Sequence, residues 1–97
     1  MTEQTQNPII EHDKLSRRFL LRKDGHTAIL DYSLEDNLIT FTHTGVPIEL
    51  EGRGIGSQLA HAGLEYAREN NFKVLSLCWF VSGYIERHAE YQGLIKK

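Results

Sequence analysis

Glycine occupies alternate positions in Glu51-Gly52-Arg53-Gly54-Ile55-Gly56-Ser57, immediately before the longest helical pattern in the chain. Glycines so spaced let the backbone take positive φ and remove the side chains that would keep a ligand from the peptide N–H groups. A helix starting where the loop ends adds unpaired N–H donors and the positive end of its dipole, so the segment suits a phosphate or pyrophosphate. Two commoner phosphate loops do not fit. A dinucleotide fingerprint needs glycine at positions 1, 3 and 6, but the sixth residue from Gly52 is Ser57 and from Gly54 is Leu59. A Walker loop needs a lysine where Gly56-Ser57-Gln58 has none. A glycine-rich strand-to-helix turn without a ligand has the same local pattern, so the surroundings must decide.

Those surroundings read as an antiparallel meander leading into the loop. Residues 1–14 lack periodicity and are expected to form a mobile tail ahead of a single domain at 15–97. A strand over 16–23, an Asp24-Gly25 turn and a second strand over 27–33 make a hairpin. A third strand over 38–43 alternates Ile39, Phe41 and His43 on one face with Leu38, Thr40 and Thr42 on the other. Gly45 and Pro47 predict a bulge or splayed strand end before a further short extended segment at Glu49-Leu50-Glu51. Beyond Gly54 the period becomes helical, with Ile55, Leu59, Ala62, Gly63, Tyr66 and Ala67 on one face and Asn70-Asn71 as the stop. The apolar run over 73–81 predicts a central strand parallel to the one before the helix, and Ser82 is placed to cap a last short helix ending near Gly93. The fold class is therefore mixed α/β (α+β): a β-meander, a β-α-β crossover and a C-terminal helix. Ligands in such a sheet sit beyond the carboxyl ends of the parallel strands, where the glycine loop, the segment Val46 to Leu50 and Cys78 converge.

Composition excludes several other readings. The 97 residues carry a formal charge of -2 and lack a basic run of five, which argues against nucleic acid or a membrane surface as partner. A single cysteine allows neither an internal disulfide nor a metal site built on several thiolates, and no His/carboxylate pair has metal-ligand spacing, so no metal is expected. The polar start of the chain lacks the basic region and apolar run of a signal peptide, and a cytoplasmic location is expected.

His43-Thr44-Gly45-Val46-Pro47, Glu51 to Gly56, Cys78-Trp79-Phe80-Val81 and Tyr84 to Tyr91 together resemble the small YjdJ-type branch of the GNAT N-acetyltransferases, over about residues 16–95. The resemblance implies a shortened GNAT fold with acetyl-CoA in a V-shaped opening between two parallel strands and its pyrophosphate on the loop amides. The family's phosphate motif, Gln/Arg-x-x-Gly-x-Gly/Ala, falls on Glu51 to Gly56, with an acidic residue at its first position where Arg53 can supply positive charge. The cofactor-binding residues so implied are Val46, Ile48, Leu50, Gly52, Arg53, Gly54, Ile55, Gly56 and Ser57. Trp79 and Ala89 stand where the branch usually has a small residue or proline.

For the chemistry two residues stand out. Cys78 is either a small buried hydrophobe of a core strand or a nucleophile beside the thioester, the role that plant-type relatives of this branch imply. His43, at a strand end beside the opening, is either a general base or a strand-end hydrogen-bond partner. Direct transfer to an amine leaves Cys78 lining the cleft. The expected activity is acetyl-CoA-dependent transfer of acetyl to an unidentified amine. The alternative is a non-catalytic module that binds CoA or docks a peptide.

Overall fold

The computed structural model describes residues 9–96. Strands β1 (Ile10–Asp13), β2 (Arg18–Lys23), β3 (His26–Glu35), β4 (Leu38–Gly45) and β5 (Lys73–Ser76) form one sheet in sequence order, antiparallel as far as β4 and parallel between β4 and β5. Helix α1 (Ile55–Glu69) makes the crossover from β4 to β5, and α2 (Trp79–Arg87) follows β5. Short 3-10 segments, Ile48–Leu50 and Ala89–Leu94, fill the connections.

Strand alternation places Phe19, Leu21, Ala28, Leu30, Ile39 and Phe41 on one face of the sheet, where they pack with Leu59, Leu64 and Ala67 of α1 in a single buried cluster. Each such side chain, taken fully out of water, contributes roughly 1.5–3 kcal/mol before the entropy of ordering it is subtracted. The C-terminus of α1 is closed by Asn71 at φ 60°, with Asn71 N–H donating to Arg68 O and Phe72 N–H to Ala67 O, both orphan carbonyls of the last turn. The asparagine pair read as a stop therefore acts as one, and it turns the chain directly into β5.

Four expectations need correction. Residues 10–13 are a paired edge strand, Ile10 opposite Leu21 and His12 opposite Phe19, held by the His12 imidazole stacked 4.0 Å from the Phe19 ring; the rest of the expected tail, residues 1–8, lies outside the described residues. The segment after Pro47 is a 3-10 turn, because Leu50 N–H donates back to Pro47 O and not to a neighbouring strand. The run over 73–81 is not a central strand: β5 stops at Ser76 on the sheet edge, leaving Leu77 and Trp79 68% and 84% exposed. Apolar side chains there belong to a strand end and a helix start at a cleft rim. Finally, α2 is capped at Cys78, not Ser82, and ends at Arg87.

Candidate functional site

β4 and β5 pair from Leu38/Lys73 to Phe41/Ser76, and the last bond between them runs from Leu77 N–H to Phe41 O at 2.9 Å. Beyond it the strands part. The opening leads into a cleft of about 570 Å³ walled by residues 42–44 and Val46 of β4 and its exit, Leu50 to Gly52 and Gly54 to Ser57 of the glycine loop and α1, and Leu77 to Phe80. The predicted convergence of three separate segments is thus found in space.

The glycine-loop wall is built of backbone. Gly52 and Gly54 have φ of 81° and 73°, values open to glycine at little cost, and Gly54 is the N-cap of α1. The first bond of the helix is Gln58 N–H to Gly54 O, so the amides of Ile55, Gly56 and Ser57 have no partner within the helix, and Gly54 has no side chain to cap them. Gly56 serves another purpose as well: a Cβ there would lie 2.7 Å from Phe80 Cζ, so α1 and α2 meet only because the position has no side chain. The third glycine of the motif is set by packing.

A bulge in β4 decides which side chains face Cys78. Tyr32 pairs with Phe41 but Asp31 pairs with His43, so Thr42 is the extra residue and the parity of the strand changes after it. Thr44, opposite Leu30, joins the α1 side of the sheet, and its Oγ1 lies 3.2 Å from Cys78 Sγ. His43 does not continue the face of Ile39 and Phe41 as alternation predicted. Its residue still borders the cleft, but its imidazole shares the opposite face with Ile29, where a Cβ on Gly45 would lie 3.3 Å from Nε2.

Cys78 is 7% exposed, at the joint where β5 ends and α2 begins. Ser82 N–H and Ser76 Oγ–H both donate to its carbonyl, at 3.0 and 2.9 Å, and Ser82 Oγ lies 2.8 Å from Ser76 Oγ, which fixes the peptide carrying the thiol. Burial is the largest single influence on the thiol and raises its pKa. The Thr44 hydroxyl and the backbone amides of Val81, Phe80 and Thr44 act together against it, and the net result is a thiol below the ordinary cysteine range. Such a thiol is more reactive at neutral pH than a structural core cysteine.

Of the residues the sequence assigned to cofactor binding, Val46, Leu50, Gly52, Gly54, Ile55, Gly56 and Ser57 line the cleft. Ile48 and Arg53 do not. Ile48 is 76% exposed on the outer side of its 3-10 turn. Arg53 Nη1 is held 2.9 Å from Asp24 of the β2–β3 turn, so its charge is matched outside the cleft. Sequence reasoning missed Thr44 and the Ser76/Ser82 pair. The i, i+4 spacing of Cys78 and Ser82 was the available signal, but it is legible only once a helix is known to start at Cys78. Among the described residues no group of three His, Cys, Asp or Glu is placed to hold a metal, and no helix is long and apolar enough to cross a membrane.

With this geometry in place, comparison with known proteins gives a consistent answer. The model of the GCN5-related N-acetyltransferase family matches residues 18–94. The NATD1 proteins of Gallus gallus and Homo sapiens are each 33% identical over 82 residues, spanning 81% of this chain and 74% and 73% of theirs. The NMR solution structure of a GCN5-like protein from Staphylococcus aureus superposes with a TM-score of 0.74 at 33% identity, over 95% of this chain and 91% of that one. Its mixed five-stranded sheet, its splayed parallel pair and its matching residues make this chain a member of the GCN5-related N-acetyltransferase (GNAT) family.

Proposed function

We propose that the protein is an acetyl-CoA-dependent N-acetyltransferase that carries the acetyl group on Cys78. The observation that carries this reading is the position of a buried thiol, 3.2 Å from the Thr44 hydroxyl, at the point where β4 and β5 part, in the same cleft as the free amides of the glycine loop.

The residues fit the group that the fold implies. The unpaired amides of Ile55, Gly56 and Ser57 would hold the pyrophosphate, and backbone donors at a helix N-terminus do this without a basic side chain. That accommodates Glu51 at the first position of the loop and an Arg53 engaged elsewhere. Acetyl-CoA supplies an activated acyl group as its thioester. Cys78 Sγ attacks the acetyl carbonyl, the C–S bond to CoA breaks with its electron pair on the CoA sulfur, which takes the proton the thiol gives up, and the acyl group is left on Cys78 with the α2 N-terminus and the Thr44 hydroxyl beside it. An amine then takes the acetyl group and Cys78 is regenerated. His43 is given no base role, since its imidazole lies across the sheet from the thiol.

Calorimetric titration with 4'-phosphopantetheine and with pantetheine, which differs from it by the phosphate alone, tests the phosphate site without altering the protein. Pantetheine is expected to bind at least about 100-fold more weakly, the loss of two or so charge-assisted hydrogen bonds. Equal affinities would remove the loop from the binding site and favour a module that uses the cleft for another ligand.

A further inference from the structure

The cleft also restricts the acceptor, on the reading that Cys78 carries the acetyl group. Among its described lining residues the titratable ones are His43, Glu51 and Cys78. The His43 imidazole is on the other face of the sheet from the thiol, and Glu51 belongs to the glycine loop. No imidazole therefore shares the Thr44 face with Cys78. An alkylamine arrives protonated at neutral pH, and its lone pair attacks only after a base has removed the proton. Beside the thiol this site offers it no imidazole as base, and the carboxylate of the lining, Glu51, stands on the glycine-loop wall, where the phosphates would bind.

What the site does offer is a flat apolar wall. Trp79, the residue after Cys78 and the first of α2, lines the cleft while 84% exposed. Its ring meets Phe80 edge-on, centroids 6.0 Å apart and planes at 76°, and Leu77 flanks it on the strand side. Phe41 and Tyr91, by contrast, are fully buried. An indole standing in water at the rim of an acyl-transfer site is a surface for stacking.

We propose that the acceptor is an arylamine, a flat ring carrying an amine that is uncharged at neutral pH, stacked on Trp79. Its nitrogen lone pair is free to attack without prior deprotonation. The lone pair forms the C–N bond to the acetyl carbonyl, the C–Sγ bond breaks with its electron pair passing to Cys78 Sγ, and the proton shed by nitrogen returns to that sulfur. The thiol is restored, so the sulfur leaving the acyl group serves as the base. One cleft serves the acyl donor and the acceptor in turn, which gives ping-pong kinetics.

The test compares aniline with benzylamine, which carries the same ring but a protonated amine, using the full chain and acetyl-CoA, with Cys78 acetylation followed by intact mass. At pH 7 kcat/KM for aniline is expected to exceed that for benzylamine by at least about tenfold, the gap closing as the pH rises and benzylamine loses its proton. Trp79→Ala should raise KM for aniline about tenfold and Trp79→Phe should restore most of it. Trp79 lies outside the core, so neither variant disturbs folding. If benzylamine reacts as well as aniline at pH 7, or KM for aniline is unchanged in Trp79→Ala, the arylamine assignment is overturned while an acetylated Cys78 stands. Absence of acetyl on Cys78 overturns the underlying reading and this proposal with it.

Discussion

Thr44 Oγ1 lies 3.2 Å from Cys78 Sγ across the point where two parallel strands separate, and only the bulge at Thr42 puts it there. Without that extra residue the side chain turned toward the thiol would be that of position 43. The contact joins the strand that enters the glycine loop to the strand that enters α2.

It should be measurable in the reactivity of the thiol. Burial works against the thiolate and the Thr44 hydroxyl works for it, ahead of the Val81 and Phe80 amides, so deleting the hydroxyl raises the pKa. In Thr44→Val the pH dependence of iodoacetamide alkylation should move to higher pH, with the rate at pH 7 falling about tenfold for loss of a hydrogen bond to a charged group. Thr44→Ser should stay near wild type. Superimposable profiles for wild type and Thr44→Val would show that the hydroxyl does not govern the thiol.

His43 is the obvious imidazole of the sequence, and its placement predicts a small effect. A residue serving as general base is worth about 10²–10⁴ in rate. His43→Gln should lower kcat by no more than about threefold, and a larger loss would place the imidazole in the proton path after all.

The joint between the two helices makes a stability prediction. Adding a Cβ at Gly56 forces it against the Phe80 ring, so Gly56→Ala should lower unfolding free energy by about 1–3 kcal/mol in urea titration. Phe80→Leu in the same chain should recover part of that loss, since the two positions share one space. Additive single effects would mean the ring moves aside freely.

Far from the cleft, Tyr91 ties the C-terminal 3-10 turn to α1. Its hydroxyl donates to Glu65 Oε2 at 2.5 Å and lies 2.9 Å from His61 Nδ1, with Arg68 on the other Glu65 oxygen. Tyr91 first, and Arg68 after it, hold the Glu65 carboxyl below the usual range, while burial and the same carboxylate push the Tyr91 hydroxyl well above its own. Tyr91→Phe should cost about 1 kcal/mol at pH 7. Because a carboxyl with a lowered pKa stabilises the fold only where it is ionised, the difference from wild type should persist above the unfolded Glu range and shrink as the pH falls below about 4. A difference that does not change with pH would remove the ion from the contact.

Much of this was legible in the residues. The 3.6-residue stripe of α1, the Asp24-Gly25 hairpin and the alternation of Ala28, Leu30 and Tyr32 are local signals, and the structure keeps all three. The glycine loop, Cys78, Val46 and Leu50 converge as expected because the β4-α1-β5 connectivity brings them to one end of the sheet. What failed depended on pairing. Gly45 and Pro47 signalled a bulge or splayed strand end, but a bulge is a property of two strands, and β4 alone did not place it at Thr42. The run from Val74 to Phe80 is apolar for two reasons, core at Val74 and cleft rim at Leu77 and Trp79, and hydrophobicity does not distinguish them. Residues 10–13 are short and polar and become a strand only through β2 and the His12–Phe19 stack.

The most direct measurement of the central claim is the intact mass of the protein after brief incubation with acetyl-CoA, followed by peptide mapping. A single acetyl group should appear on the peptide carrying Cys78, form before any amide product, and disappear when an amine acceptor is added. Cys78→Ala should lack the adduct and lose turnover. Unmodified protein throughout, with Cys78→Ala transferring acetyl at the wild-type rate, would contradict the account and return Cys78 to the cleft wall as a packing residue.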